Sequence, residues 1–164
     1  GVPEHRLAAP FDTVSVCLSK GLGAPVGSVL AASADLIAEA RRFRKLLGGG
    51  MRQVGVLAAA GLYALEHHRP LLAEDHAKAR RLAEGIAELP AFEIDLERVQ
   101  TNIVRFDVRR GTAESVLAQL RDEGVLMVPF GPRTIRATTH RDVSMQDIDR
   151  ALAILHRLFG RATA

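Results

Sequence analysis

The sequence predicts an α/β chain in two parts, a sheet-and-helix portion over residues 1–72 and a small α+β domain over residues 73–164. Three observations predict it. A β-branched apolar run ends in a glycine loop within residues 13–27, a helix apolar on every side follows at residues 53–66, and beyond Pro90 short strands alternate with two amphipathic helices.

Each element has a local cause. TVSVCL (residues 13–18) is β-branched and apolar, bounded by Pro10 on one side and glycines on the other, and reads as a strand. Residues 26–31 read as a second short strand. In residues 35–47, Leu36, Ala40, Phe43 and Leu47 recur at helical spacing and leave Arg41, Arg42, Arg44 and Lys45 on other faces. GGG at 48–50 ends that helix, and its third glycine is more than a C-cap needs. QVGVLAAAGLYALE (residues 53–66) predicts a helix buried all round, in a large core or a subunit interface, which Pro70 closes. A long amphipathic helix over residues 72–89 stops at Pro90. The strands NIVRFDV, GVLMVPF and RTIRATT then combine with helices at 112–123 and 145–159, the latter with Ser144 as N-cap and Asp147 as its capping-box partner.

Composition narrows the function. The chain of 164 residues is 48% hydrophobic but only 4% aromatic, so aliphatic side chains must fill its core. A net charge of +3 comes from arginines interleaved with acids, with one dense cluster, RRFRK at 41–45. Without interleaved aromatics this does not point to nucleic acid. The single cysteine, Cys17, allows no internal disulfide, which fits a reducing cytoplasm, and it reads as a small buried hydrophobe. The apolar stretch at 54–65 is shorter than the roughly 20 residues that span a bilayer, so no membrane role is expected. His67, His68 and His76 lie near Glu66, Glu74 and Asp75 at no zinc-binding spacing; they read as helix-surface residues, and no metal site is expected. His140 reads as a polar turn residue.

The string VCLSKGLGAPVGS carries the chemistry. A phosphate-binding P-loop needs its lysine after the glycines, and Lys20 precedes them. A dinucleotide fingerprint fits Gly21 and Gly23 but finds valine at 26. What remains is a lysine at the C-terminal end of a strand, where α/β sheets place ligands. Such a lysine is either an ordinary loop residue or one that forms a Schiff base with an aldehyde, most commonly pyridoxal phosphate.

The wider strings FDTVSVCLSKGLGAPVGSVLAAS and ARRFRKLLGGGMRQVGVLAAAGLYAL closely resemble the low-specificity L-threonine aldolases, pyridoxal-phosphate enzymes of the aspartate-aminotransferase fold group. The resemblance covers residues 11–65 almost without a gap. It continues more loosely through EDHAKARRLAEGI, TNIVRFDV and IRATTHRDVS. It implies a mainly parallel large-domain sheet of the pyridoxal-phosphate fold type I, a small C-terminal domain, and a homo-oligomer, a tetramer by family habit. Lys20 matches the lysine that holds pyridoxal phosphate as a Schiff base. Arg136 matches the arginine near the substrate carboxylate. Arg52 and Lys45 match basic residues directed toward the active site, across a subunit boundary, where the 48–50 glycines would admit the cofactor phosphate. Taken without the resemblance, Arg136 reads first as an exposed strand arginine, and Arg52 with Lys45 equally as a solvated basic face.

The expected activity is pyridoxal-phosphate-dependent cleavage of L-threonine or L-allo-threonine to glycine and acetaldehyde. Another lyase, racemase or transaminase of the same fold group is the alternative reading, and a catalytically silent structural fragment is the third. The family's upstream motifs do not occur here: a phosphate-binding glycine/serine segment, a ring-stacking histidine, and an H-x-D-G-A-R segment supplying an aspartate to the ring nitrogen. The expectation is therefore a C-terminal half that is stable only beside its N-terminal half.

Overall fold

The computed structural model describes residues 2–160. The chain divides into two compact units, Gly1–Pro70 and Leu71–Ala164.

The first unit is built on a hairpin. Strands β1 (Thr13–Cys17) and β2 (Ser28–Ala32) pair antiparallel, with Cys17 opposite Ser28. Helix α1 (Glu4–Ala8) precedes them, tied by Glu4 to Arg69 through a two-pronged guanidinium–carboxylate contact. Helix α2 (Ala34–Leu46) begins at Ser33, whose hydroxyl accepts the amide of Leu36. It ends in a Schellman motif, with Gly48 N–H donating to Lys45 O at 3.1 Å and Gly49 N–H to Arg44 O at 2.7 Å. Gly48 takes the left-handed φ of 81° this motif requires. A Cβ on Gly49 would lie 2.7 Å from Arg44 Cγ, so the second glycine is needed for space. The cap therefore uses two of the three glycines.

Helix α3 (Gly55–Tyr63) runs into a π-helical turn at Ala64–His68 and a 3₁₀ turn at Arg69–Leu71. Complete burial was the sequence expectation, and the outcome differs within this unit. Gly61 and Ala64 are buried, and a Cβ on Gly61 would meet Leu18 Cδ1 at 3.0 Å, so this side seats against the end of β1. The other sides have no cover: Val56 is 75% exposed and Leu62 60%.

The second unit holds a conventional core. Helix α4 (Leu72–Ala87), strands β3 (Phe92–Glu93) and β4 (Ile103–Val108), helix α5 (Ala113–Asp122), strands β5 (Val128–Pro129) and β6 (Thr134–Thr138), and helix α6 (Met145–Phe159) follow in order. The sheet is antiparallel throughout, in the order β3-β4-β6-β5. Along β4 the residues alternate strictly, with Val104, Phe106 and Val108 buried and Ile103, Arg105 and Asp107 on the other face. Ile135 and Ala137 of β6 join the buried side against Leu82, Ile86, Leu117, Leu120, Leu152 and Leu155 of the helices. Phe92 sits edge-on to Phe106 and Phe159, at centroid distances of 5.1 and 5.3 Å. Helix α6 starts with the expected capping box, Ser144 Oγ accepting Asp147 N–H and Asp147 Oδ2 accepting Ser144 N–H.

One buried ion pair pins the segment after β6. Lys78 Nζ donates to the carbonyls of His140 and Val143, each at 2.9 Å, and lies 2.6 Å from Asp75 Oδ1. No hydrogen bond of good geometry reaches either Asp75 oxygen, so the close Lys78 contact meets that carboxylate by charge alone. Thr139 completes the clamp, its hydroxyl donating to Asp75 O at 2.7 Å while Asn102 Nδ2 donates to Thr139 O at 2.8 Å.

Candidate active site

Lys20 stands three residues past the end of β1, at the head of a tight turn. Gly23 N–H donates to Lys20 O at 2.8 Å, and Gly23 takes φ 68°, a left-handed value that glycine adopts without penalty. Two further backbone bonds close the loop: Ala24 N–H to Leu18 O at 3.0 Å and Leu18 N–H to Gly27 O at 2.9 Å. Leu22 and Ala24 are buried while Lys20 is exposed, so the loop is anchored by its apolar residues and presents its amine. His68 adds a strut from the π-helical turn. Its Nδ1 lies 2.6 Å from Leu22 O, and since a carbonyl only accepts, Nδ1 carries the proton. The sequence reading placed His68 on a helix surface; it is half-buried and holds the lysine loop.

The Cys17 thiol sits beside this amine. It is half-buried rather than a core residue. Ser28 Oγ, across the hairpin, donates to Cys17 Sγ at 3.6 Å. That hydrogen bond, followed by the positive charge of Lys20, holds the thiol below its usual range. The expectation of a buried hydrophobe is thus corrected. The loop carries a primary amine and a softened thiol side by side.

Lys45 and Arg52 belong to the same unit. Lys45 is in the last turn of α2, and its Nζ would make only an ordinary 3.8 Å contact with a Cβ on Gly50, so space does not require the third glycine. Arg52 is exposed in the turn before α3, next to Gln53 with its left-handed φ of 53°. Among the described residues neither Lys45 nor Arg52 has an ion-pair partner.

Arg136 is in the other unit, on β6, on the sheet face turned away from the helices. Its Nε is buried with no hydrogen-bond partner, and its guanidinium carbon lies 5.8 Å from the centre of the Phe130 ring. Arg105, its direct partner across the ladder, stands 4.4 Å from the same ring centre. The sequence reading did not single out Arg105 or Phe130. His140 is exposed and serves the fold through its carbonyl, as Lys78's acceptor. One pocket of the second unit, about 310 Å³, is lined by Ile103, Arg105, Asp107 and Thr134, and another of about 450 Å³ is walled by Phe92, Val108, Arg109, Gln119 and Phe159; none of the predicted site residues lines either.

The fold places the chain in a class that its structural neighbours define: it has part of the pyridoxal-phosphate fold type I. A protein of Exiguobacterium sp. 255-15, provisionally assigned as an aromatic amino acid beta-eliminating lyase/threonine aldolase, matches with a TM-score of 0.76 at 23% identity, over 94% of this chain and 47% of that one. A Listeria monocytogenes EGD-E protein, provisionally assigned as an L-allo-threonine aldolase, matches with a TM-score of 0.76 at 20% identity, over 95% of this chain and 47% of that one.

Residues 1–109 match the beta-eliminating lyase family, and the chain belongs to it. Low-specificity L-threonine aldolase 1 of Arabidopsis thaliana is 43% identical over 156 residues, 93% of this chain and 44% of the relative. The low specificity L-threonine aldolase of Escherichia coli (strain K12) is 42% identical over 142 residues, 87% of this chain and 41% of the relative. The chain thus spans less than half the length of these curated relatives. No helix among the described residues is long and apolar enough to cross a membrane.

Proposed function

We propose that this chain carries the lysine and the carboxylate-binding half of an enzyme that splits β-hydroxy-α-amino acids, L-threonine or L-allo-threonine, into glycine and an aldehyde, with pyridoxal phosphate as cofactor. One observation carries the reading. Lys20 is an exposed amine just past the C-terminal end of a strand, on a turn closed by Gly23 in its left-handed conformation, in a chain more than 40% identical to threonine aldolases.

The residues present fit the cofactor. Lys20 would hold it covalently through Nζ, and Lys45 and Arg52 would supply positive charge for its phosphate. When bound, pyridoxal phosphate supplies the electron sink that lets the Cα–Cβ bond break. Arg136 fixes the substrate's carboxylate, and its buried, unpartnered Nε is a donor that such a carboxylate would satisfy. By holding that group, Arg136 sets which bond at the α-carbon stands ready to break. His68 keeps the Lys20 loop in register through Leu22 O. The aspartate for the ring nitrogen and the stacking histidine would come from sequence outside this chain. The same missing portion, with further copies of the chain in a homo-oligomer, would cover the exposed sides of α3. A cytoplasmic setting fits a lone free cysteine.

The test is direct. The complete protein should show a visible absorption band that borohydride abolishes, and mass spectrometry should find the reduced adduct on Lys20. Lys20→Ala should lose both the band and acetaldehyde release from threonine. An adduct on another lysine, or transamination products in place of glycine, would overturn the assignment.

A further inference from the structure

The open face of the β3-β4-β6-β5 sheet holds an arrangement that stability does not explain. Arg105 and Arg136 are direct cross-strand partners, so their Cβ atoms stand about 4.5–5.5 Å apart on one face. Like charges so placed oppose pairing. Among the described residues neither guanidinium has a hydrogen bond or an ion pair. The nearest carboxylate along the face, Asp107, accepts instead from Thr134 Oγ1 at 2.5 Å. Both cations share the Phe130 ring, at 4.4 and 5.8 Å from its centre, and that ring's negative face offsets part of their repulsion. Ile103, two residues along β4, and Val128, opposite Arg136 on β5, add apolar walls.

We propose that Arg105, Arg136 and Phe130 form a two-guanidinium site for a carboxylate, in which Arg105 shares with Arg136 the carboxylate of the amino-acid substrate. This rests on the reading of Arg136 given above and adds a specificity residue to it. Each guanidinium presents up to five N–H donors in a planar fork, and a carboxylate is the planar acceptor such forks match. The buried Nε of Arg136 lacks an acceptor until an anion arrives. The anion removes the repulsion between the two arginines at the same moment, so empty and filled sites should differ in stability.

The experiment uses the complete protein with sodium acetate as probe, at constant ionic strength. Acetate should raise the melting temperature of the wild type, and Arg105→Gln and Arg136→Gln should each abolish that rise. Without acetate, Arg105→Gln should melt at or above the wild-type temperature, because it removes a like-charged neighbour. Its KM for L-threonine should rise about 10-fold with kcat held within about twofold, and Arg105→Lys should recover part of the loss. Three outcomes overturn the proposal: Arg105→Gln keeps the acetate effect; Arg105→Gln melts lower with KM unchanged, which marks a structural arginine; or inorganic phosphate stabilises where acetate does not. An unchanged KM in Arg136→Gln would sink the substrate reading of Arg136, and the acetate data on Arg105→Gln would still decide the anion site.

Discussion

Cys17 and Lys20 were both visible in the sequence, but only one of them was legible. Lys20 stands out because its neighbours in the chain, the strand before it and the glycines after it, explain it locally. Cys17 draws its character from Ser28, eleven residues away and brought alongside by the β1–β2 register. Register is a property of pairing, which a single strand's pattern does not state. Arg105 escaped for the same reason, since its significance lies in facing Arg136. The thiol makes a prediction at this scale. A hydroxyl donating to sulfur, with an ammonium nearby, favours the charged form, so the thiolate forms at lower pH than in an ordinary cysteine of pKa about 8.5. Iodoacetamide should therefore alkylate Cys17 with a rate–pH midpoint below the ordinary thiol range. Ser28→Ala should move that midpoint upward, and Lys20→Ala should move it the same way. A midpoint indifferent to both changes would show that neither group acts on the sulfur.

Elements with one-sided patterns were legible, and elements whose apolar sides their own unit leaves open were not. Helix α6, with its capping box, and β4, with its strict alternation, follow from local signals that tertiary packing obeys. The two-residue strand β3 is too short for any periodicity to mark it, and of the predicted strand GVLMVPF only Val128 and Pro129 pair, as β5. Helix α3 states its need for burial on all sides, but the sequence of a helix cannot name what covers it. The packing of α4 on α6 has a feature that sequence also leaves unstated. A Cβ on Gly85 would lie 2.3 Å from Leu152 Cδ2 and 2.8 Å from Cδ1. Both residues are buried, so Leu152 has little space into which to turn. In an isolated helix Gly→Ala stabilises by about 1 kcal/mol. Here overpacking should win, and Gly85→Ala should destabilise by about 1–3 kcal/mol. Urea denaturation measures it: the midpoint should fall with an unchanged slope, and the paired change Gly85→Ala with Leu152→Ala should recover less than the full loss, because the leucine's own contacts go with it.

At the scale of the molecule, the two units differ in how much of their own stability they contain. Leu71–Ala164 encloses an extensive apolar cluster drawn from three helices and a four-stranded sheet, with the buried Lys78–Asp75 pair enclosed alongside. Among the described residues, the first unit buries only Leu18, Leu22, Ala24, Gly61 and Ala64, and leaves Val16, Val29, Leu30, Phe43, Val56 and Leu62 exposed. A two-stranded hairpin is marginal in water on its own, and small units lacking a core need a partner. The segment that carries Lys20 is therefore the one that leaves much of its apolar surface open, while the segment that carries Arg136 encloses a core of its own. Expressed alone, residues 71–164 should melt in one cooperative transition with an enthalpy near 0.7 kcal/mol per residue around 60 °C. Residues 1–70 alone should show no such transition. In the 164-residue chain, amides of Val104, Phe106 and Ile135 should exchange slowest, and those of Val16 and Val29 should exchange within the time of local opening. Slow exchange across β1 and β2 in this chain alone would mean that the hairpin is self-sufficient. The lysine loop would then need neither a missing portion nor a further copy to hold its shape.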